Sequence, residues 1–130
     1  MIYSCGVDIV EVKRIKEMAE KHGKKFLQKI FSSGEIRYCD SRKNKYEHYA
    51  VRFAAKEAVM KSLAAGAGNV GFKEIEVART DIGDVLVQLK GKARERADNM
   101  SISRIHISLS HTENYAVALA IAETEPKKKF

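Results

Sequence analysis

The sequence predicts an α+β fold in which an antiparallel sheet packs on a long helix. Segment 102–110 alternates strictly between apolar and polar residues, as a half-buried strand does. Segment 116–122 follows across a short turn at 112–114 and supplies its antiparallel partner. Segment 2–10 is short and rich in β-formers, which indicates a buried strand, and 47–65 is predicted to be the long helix. Helices and strands that alternate irregularly around one sheet are typical of this class.

The other elements follow from local signals. One set of residues between positions 15 and 30 recurs at helical spacing, so we predict an amphipathic helix that bends at Gly23. The set is Ile15, Met18, Ala19, His22, Phe26 and Ile30. Ser32 and Glu35 match a capping box, which begins a short helix through Tyr38. Gly66 and Gly68 are expected to end the long helix. We also predict strands at 72–78 and 85–89, joined by a turn around Thr80, Asp81 and Gly83. A helix follows at 92–99.

The 130 residues suit a single domain, which we assign to 1–125, followed by a basic tail at 126–130. Cys5 and Cys39 are too few for a disulfide scaffold and lack metal-ligand spacing, so we expect buried reduced thiols. The first residues do not resemble a secretory signal, and the longest apolar run is too short to cross a bilayer. We therefore expect a cytoplasmic protein with no membrane partner.

The net charge of +7 favours an anionic partner, and the charge is concentrated near the N-terminus. Segment 13–29 contains seven Lys or Arg against two Glu. A small RNA- or DNA-binding domain is one interpretation of this charge. The chain has no Trp, no aromatic-rich strand resembling an RNP motif and no GXXG loop between helices, which argues against a nucleic-acid partner.

Asp8 lies within the apolar run GVDIV, where an ionised carboxylate is costly unless a metal, a cation or hydrogen-bond donors meet it. Gly6 lies on the same strand face and would leave space in which a ligand could approach. An Asp that simply caps the following helix is an equally good interpretation of this residue taken alone.

Glu57 and Lys61 are four residues apart in RFAAKEAVMKSL and share a helix face with small and apolar neighbours. Arg52 and Lys56 are expected to mark a different, wet side. An ordinary ion pair between Glu57 and Lys61 is the simpler interpretation of the helix alone. Asp8 and Glu57 together would suit Mg²⁺, with Lys61 neutralising phosphate charge. A non-catalytic metal-binding or interaction module would use the same carboxylates.

Two further motifs concern phosphate. Gly66, Gly68 and Gly71 spell GxGxxG, but they follow a helix and precede a strand, so we discount a dinucleotide site. In SLSHT, Ser110, His111 and Thr112 could hold phosphate oxygens at a hairpin end, and a simple turn cluster is equally plausible. His22, His48 and His106 show no ligand spacing and are expected in the core or on the surface.

Three segments, GVDIVEVKRI, RFAAKEAVMKSL and ISLSHTENYAVALA, resemble in order and spacing the signature blocks of the holo-acyl-carrier-protein synthases. These enzymes belong to the 4′-phosphopantetheinyl transferase superfamily. The resemblance implies that superfamily's fold and the transfer of phosphopantetheine from coenzyme A to a serine of apo acyl carrier protein, with release of 3′,5′-ADP. It also implies Mg²⁺ as cofactor, a role in fatty acid biosynthesis, and a homotrimer with each active site between two protomers.

The resemblance also implies roles for individual residues. Glu57, acting through a water, is our choice of base, and Lys61 stabilises or protonates the leaving phosphate, although these roles could be exchanged. The family's hairpin that contacts adenine has Gly, a basic residue and Pro, whereas this chain has Gly83, Asp84 and Val85, so that contact does not carry over. By position, the Mg²⁺ ligands are Asp8 and Glu57, the coenzyme A contacts are Arg52, Phe53, Lys61, Ser110, His111 and Thr112, and the carrier-docking residues are Arg14, Lys21 and Lys24.

Overall fold

The computed structural model describes residues 1–64, 70–80 and 82–125. It contains five strands, five α-helices and one 3₁₀ turn within those residues. The strands are β1 (Ile2–Glu11), β2 (Ile75–Arg79), β3 (Val85–Leu89), β4 (Ile102–His111) and β5 (Tyr115–Thr124). The helices are α1 (Val12–His22), α2 (Lys24–Ile30), α3 (Ser33–Asp40), α4 (Lys45–Ser62) and α5 (Gly91–Asn99).

An antiparallel sheet in the order β1-β5-β4 lies against α4, and β2 and β3 form a separate hairpin. The central strand β5 presents a row of fully buried alanines to α4, and the facing residues of α4 are also small. Small side chains on both surfaces let helix and sheet approach closely. The alanines are Ala116, Ala118, Ala120 and Ala122 on β5, and Ala54, Ala55 and Ala58 on α4. The predicted α+β architecture is confirmed.

Gly6 serves this close approach rather than a ligand. A Cβ at Gly6 would overlap the carbonyl oxygen of Ala58 and lie 2.9 Å from the Cβ of Lys61. The space that we expected beside the Asp8 carboxylate is therefore filled by α4. This prediction was wrong because strand periodicity shows which face Gly6 shares but not what packs against that face.

The predicted helices are present, but α4 begins at Lys45 and ends at Ser62, before the predicted end at residue 65. The first amphipathic helix divides at Gly23, whose φ of +61° lies in the left-handed region that glycine adopts at little cost. Lys24 consequently begins α2 instead of continuing α1. The Ser32 hydroxyl accepts from the Glu35 amide, and the Glu35 carboxylate accepts from the Ser32 amide, which completes the predicted capping box. Gly66 and Gly68 lie outside the described residues, as does the tail at 126–130.

Two local predictions were wrong. Phe72–Glu74 forms a 3₁₀ turn, so β2 begins at Ile75 instead of Phe72. Cys39 is buried as expected, but Cys5 is exposed on the outer face of β1. Both errors arise from tertiary context, because a short apolar segment does not reveal whether each of its faces will be covered.

A buried ion pair joins α3 to α4. Lys56 Nζ lies 2.8 Å from Glu35 Oε1, and it also donates to the backbone carbonyls of Phe72 and Ile75. Glu35 Oε2 accepts from the amide of Val77. Because every strong donor and acceptor of the pair is used, the desolvation of the two charges is compensated. Lys56 therefore lies in the core and not on the wet side of α4, contrary to expectation.

The outer face of the three-stranded sheet carries exposed apolar residues. Val7 and Ile9 on β1 lie in register opposite Leu119 and Val117 on β5. Ile9 is 65% exposed and Leu119 39% exposed. Contiguous apolar surface of this kind is typical of an interaction site. None of the helices within 1–64, 70–80 and 82–125 is long and apolar enough to cross a membrane.

Candidate active site

Asp8, Glu57 and Lys61, which we call the carboxylate cluster, come together where β1 crosses the C-terminal half of α4. Lys61 Nζ lies 3.2 Å from Asp8 Oδ1 and donates to the carbonyl of Val7 at 2.9 Å. Among the described residues the salt bridge of Lys61 is thus made to another element, and not to Glu57 one turn away. This is the cation that the strand carboxylate required.

Glu57 is held in a charged form only at a cost. Its pKa is raised, first because burial penalises the carboxylate and second because the negative charge of Asp8 is near. Lys61 and Arg14 act in the opposite direction without reversing the shift. Two carboxylates that repel each other, with a lysine paired to only one of them, form a site that favours an additional cation.

One stripe of α4 leads to this cluster. Phe53, Glu57 and Lys61 are spaced four residues apart, so they lie along one side of the helix. The Phe53 ring stacks on Phe72, with centroids 5.4 Å apart and planes inclined by 22°. The stack is an apolar surface one helical turn before Glu57.

A second group of cations surrounds the ring of Tyr38. The guanidinium carbons of Arg52, Arg42 and Arg79 lie 4.1, 4.6 and 5.8 Å from the ring centroid. The His48 ring meets Tyr38 edge-on, with centroids 5.8 Å apart. The His111 ring lies 5.2 Å from that of His48. We call Arg42, Arg52, Arg79, His48 and His111 the basic cluster.

The basic cluster has unused hydrogen-bonding capacity. Arg52 Nε and His48 Nδ1 are the buried side-chain nitrogens without a hydrogen-bond partner in the part of the chain that the structure describes. Arg52 is only 2% exposed, so its burial on the inner side of α4 corrects our expectation of a wet position. Convergent cations with unpartnered donors are a natural site for a phosphate group.

Burial and the neighbouring positive charges change the pKa of His48. Its pKa is lowered, chiefly by burial and then by the charges of His111, Arg52 and Arg42. A neutral imidazole is therefore favoured near pH 7 in the ligand-free chain, and an anion placed here would oppose that shift. The sequence shows no ligand spacing for His48, so its place beside these cations was not predicted.

The three residues of the SHT segment, Ser110, His111 and Thr112, make different contacts in the structure. His111 Nδ1 lies 2.9 Å from Glu47 Oε1 on α4, so His111 belongs to the basic cluster. Thr112 Oγ1 accepts from the amides of Asn114 and Tyr115 and thereby shapes the turn. Ser110 is exposed and pairs with Val117 on the outer face of the sheet. Thr112 therefore has a turn role, whereas His111 contacts α4.

The two clusters occupy opposite halves of α4. Glu47, beside the basic cluster, precedes Glu57 by ten residues, which corresponds to about 15 Å along the helix axis. Arg52 points back toward the N-terminal half, where its Nη1 donates to the carbonyl of His48 at 3.5 Å. One helix therefore carries a phosphate-type site at one end and a carboxylate site at the other.

The predicted docking residues border an apolar groove. Arg14 and Lys21 are exposed on α1, with Met18 between them on the same face, and Lys24 is exposed at the start of α2. The groove has a volume of about 610 Å³ and is lined by Met18, His22, Lys25, Phe26, Gln28 and Lys29. Met18 and His22 are exposed at this groove, although the helical periodicity placed them on the apolar face of the helix. A basic rim around an apolar floor suits an acidic amphipathic helix.

A larger groove lies elsewhere. A groove of about 940 Å³ separates β3 and α5 from β4, with Leu89, Ala97 and Ile105 among its lining residues. It contains none of the residues of the carboxylate or basic clusters. Cavity size is therefore a poorer guide in this protein than the convergence of charged groups.

The predicted metal ligands amount to two carboxylates. Within residues 1–64, 70–80 and 82–125, no group of three or more His, Cys, Asp or Glu side chains could hold a metal ion. A structural zinc site, which takes four protein ligands, does not fit this arrangement. Mg²⁺ fits it, because that ion commonly takes one or two carboxylates and fills its remaining positions with water and phosphate.

Comparison with known proteins decides the family. The family model described as ACPS, the 4′-phosphopantetheinyl transferase superfamily, matches residues 4–120. The chain belongs to this superfamily. A holo-[acyl-carrier-protein] synthase from Ruminiclostridium cellulolyticum is 50% identical over 118 residues, covering 89% of this chain and 88% of that protein. The resemblance of the three sequence blocks to the holo-acyl-carrier-protein synthases is thus confirmed.

Solved structures of this family share the fold. The crystal structure of the holo-[acyl-carrier-protein] synthase from Neisseria meningitidis superimposes with a TM-score of 0.87 at 31% identity, covering 95% of this chain and 100% of that one. The Helicobacter pylori holo-[acyl-carrier-protein] synthase in complex with coenzyme A gives a TM-score of 0.81 at 29% identity, covering 92% and 99%. The arrangement of strands and helices described above is therefore that of the phosphopantetheinyl transferase family.

Proposed function

We propose that this protein transfers 4′-phosphopantetheine from coenzyme A to a serine of apo acyl carrier protein and releases 3′,5′-ADP. The observation that carries the proposal is the carboxylate cluster, in which two carboxylates and a lysine from distant parts of the sequence meet at one point. The relatives are holo-[acyl-carrier-protein] synthases, and one of them is solved with coenzyme A. Together with an added cation, the charges of the carboxylate cluster thus suit the pyrophosphate of coenzyme A, the ligand of that relative.

The reaction breaks one phosphorus–oxygen bond and forms another. The carrier's serine oxygen attacks the β-phosphorus of coenzyme A, and the bond to the 3′,5′-ADP oxygen breaks. Glu57 accepts the serine proton, a role that suits a carboxylate whose pKa is raised by burial and by Asp8. Lys61 releases Asp8 and donates to the phosphate oxygens, where it stabilises the charge on the leaving group. Positioning and electrostatics supply most of the acceleration.

Mg²⁺ is the cofactor that the carboxylate cluster would hold. Asp8 and Glu57 supply hard oxygen ligands, and their mutual repulsion favours an added divalent cation. When bound, Mg²⁺ would neutralise pyrophosphate charge. Lys61 meets only part of the negative charge of the two carboxylates, since its salt bridge is to Asp8.

The basic cluster supports binding of the nucleotide end of coenzyme A. That end carries a 3′-phosphate apart from the pyrophosphate, and the chain presents its two charged sites apart along α4. Arg52 Nε and His48 Nδ1 offer hydrogen-bonding atoms that the described residues do not use. We assign Arg42, His48 and Arg79 to this subsite in addition to the predicted Arg52 and His111.

The groove between α1 and α2 supports docking of an acidic carrier. Arg14 and Lys21 flank Met18 on α1, and Lys24 lies just beyond the Gly23 break. Arg14 also acts on the charge of Glu57, so one end of the docking surface adjoins the carboxylate cluster. Opposite charge across such a surface speeds encounter and fixes orientation.

Self-association into a homotrimer is part of the proposal. The outer sheet face exposes Val7, Ile9, Val117 and Leu119 in adjacent register, and covering it with further copies would remove apolar surface from water. Such an assembly would also let the carboxylate cluster of one copy and the basic cluster of another share one coenzyme A. The expected cytoplasmic location remains a prediction.

The deciding experiment incubates the protein with coenzyme A, Mg²⁺ and verified apo acyl carrier protein. The carrier is then weighed by mass spectrometry, and the proposal predicts the added mass of one phosphopantetheine. An unmodified carrier would exclude the transferase function and favour a non-catalytic module. A carrier in which the acceptor serine is replaced by alanine provides the matched control.

A further inference from the structure

Arg96 on α5 closes the C-terminal end of α4. Its Nε donates to the carbonyl of Leu63 at 2.6 Å, and its Nη2 donates to the carbonyl of Ala64 at 2.7 Å. These are the two residues directly after α4, and the last carbonyls of a helix have no partner within the helix itself. A planar guanidinium presents donors at a fixed spacing that matches two neighbouring carbonyls, whereas the three donors of a lysine diverge from one nitrogen.

The turn that Arg96 holds has an uncommon backbone. Ala64 has a φ of +51°, in the left-handed region that residues with a Cβ enter only at some cost. The two hydrogen bonds from Arg96 compensate part of that cost and fix the direction in which the chain leaves the helix. The positive charge of Arg96 is also favourable beside the negative end of the helix dipole.

The same end of α4 carries Lys61. Ser4 Oγ on β1 donates to the carbonyl of Ser62, and Lys61 Nζ reaches back to Asp8 and Val7. The last turn is therefore fastened to β1 on one side and to Arg96 on the other. A lysine with four rotatable bonds reaches a phosphate productively only if its backbone is held in place.

We propose that Arg96 is a positioning residue for phosphopantetheine transfer, because it fixes the turn from which Lys61 reaches the reacting phosphate. This inference rests on the role of Lys61 in the proposed function. Among the described residues, Arg96 donates to the two carbonyls that follow α4 and not to Asp8, so it acts through the backbone. It lies 35 residues beyond Lys61 in the sequence.

The test compares Arg96→Met, Arg96→Lys and the control Arg94→Met, which removes an exposed partner of Asp98 on the same helix. Transfer kinetics and thermal unfolding are measured for each variant. We expect Arg96→Met to lower kcat about tenfold or more with an unchanged KM for the carrier, since small misplacements of catalytic groups are costly. Arg96→Lys, which remains able to donate to one carbonyl, should lose less, and Arg94→Met should match the wild type.

A double-mutant cycle separates positioning from general stabilisation. In a Lys61→Met background, Arg96→Met should reduce kcat less than twofold further, because the group that it positions is already gone. An equal loss in both backgrounds, or a kcat of Arg96→Met within twofold of the wild type, would overturn the inference. Should Arg96→Met fail to fold, the same cycle with Arg96→Lys decides. A wild type that transfers nothing would instead contradict the proposed function itself.

Discussion

Lys61 Nζ lies 3.2 Å from Asp8 Oδ1, although 52 residues separate the two in the sequence. The contact joins the first strand to the last turn of the long helix, and it places Glu57 beside both groups. Lys61 is more than half exposed, whereas the Asp8 side chain is 18% exposed. Because Lys61 is exposed, its ammonium can move from Asp8 to a bound phosphate, and a cation can take its place beside Asp8.

Removing either carboxylate should abolish metal-dependent transfer. Asp8→Asn and Glu57→Gln keep the side-chain shape but remove the negative charge that would hold Mg²⁺. We expect kcat/KM to fall by about 10²-fold or more for each, as for other losses of charge stabilisation. Steady-state transfer assays at several Mg²⁺ concentrations measure this.

A binding readout accompanies the assay. Mg²⁺ should raise the melting temperature of the wild type and of the control Asp98→Asn, which changes an exposed carboxylate on α5. It should have no effect on Asp8→Asn. Full activity of both site variants would rule out this carboxylate pair as the metal site.

Charge reversal on α1 should weaken carrier recognition selectively. In Arg14→Glu/Lys21→Glu, two exposed cations beside the groove become anions that repel an acidic carrier. KM for the carrier should rise about tenfold or more and depend less steeply on ionic strength, whereas KM for coenzyme A should change little. Stopped assays with each substrate varied in turn give both constants.

The matched control is Arg94→Glu, which makes the same change of charge on the exposed surface of α5. Its carrier kinetics should equal those of the wild type. If both proteins respond alike, net charge and not the α1 surface governs carrier binding.

The basic cluster should distinguish coenzyme A from dephospho-coenzyme A. Arg52→Met removes the guanidinium with the unpartnered Nε, and hydrogen bonds to charged groups contribute about 1.5–3 kcal/mol. KM for coenzyme A should therefore rise by roughly 10- to 100-fold. KM for dephospho-coenzyme A, which lacks the 3′-phosphate, should be raised already in the wild type and change little in the variant. Equal effects on both substrates would place the 3′-phosphate elsewhere.

The outer sheet face should control oligomeric state. Leu119→Lys places a charge in the centre of the exposed apolar face, opposite Val7. We expect it to shift the protein from trimer toward monomer in light scattering coupled to size-exclusion chromatography, because burial of a charge is costly. Leu86→Lys alters an apolar residue of similar exposure on the separate β2–β3 hairpin and should leave the assembly intact. A wild-type monomer would contradict the trimer outright.

Glu74 should contribute to stability in a pH-dependent way. Its carboxylate accepts from the amides of Gly71 and Lys92, and these hydrogen bonds hold its pKa below the usual 4.5. A lowered pKa in the folded state means a contribution that is present above pH 4.5 and is lost as pH falls through the folded value.

Thermal unfolding measured from pH 7 to pH 3 tests whether the stabilisation by Glu74 is lost as the pH falls. Glu74→Gln should melt below the wild type at pH 7, and the difference should narrow toward pH 3. Glu95→Gln, an exposed glutamate on α5, is the control and should follow the wild type throughout. A gap between Glu74→Gln and the wild type that widens on acidification would contradict the proposed direction.

Much of the fold could be predicted because local rules act over short distances. The alternation in β4, the Ser32–Glu35 capping box and the break at Gly23 depend on neighbouring residues, and the structure contains all three. The site was predicted less completely. Asp8, Glu57 and Lys61 attracted notice because charged side chains among apolar neighbours need partners, but Arg42, His48 and Arg79 carried no such signal.

The sequence by itself determined the element order, the family and the residue types of the proposed metal and phosphate site. Tertiary structure alone decided that Lys56 is a buried partner of Glu35, that Arg52 lies beneath Tyr38 with an unpartnered Nε, and that α4 fills the space beside Gly6. The physical reason is that periodicity fixes which side chains share a face, whereas burial and pairing depend on what the rest of the chain places against that face.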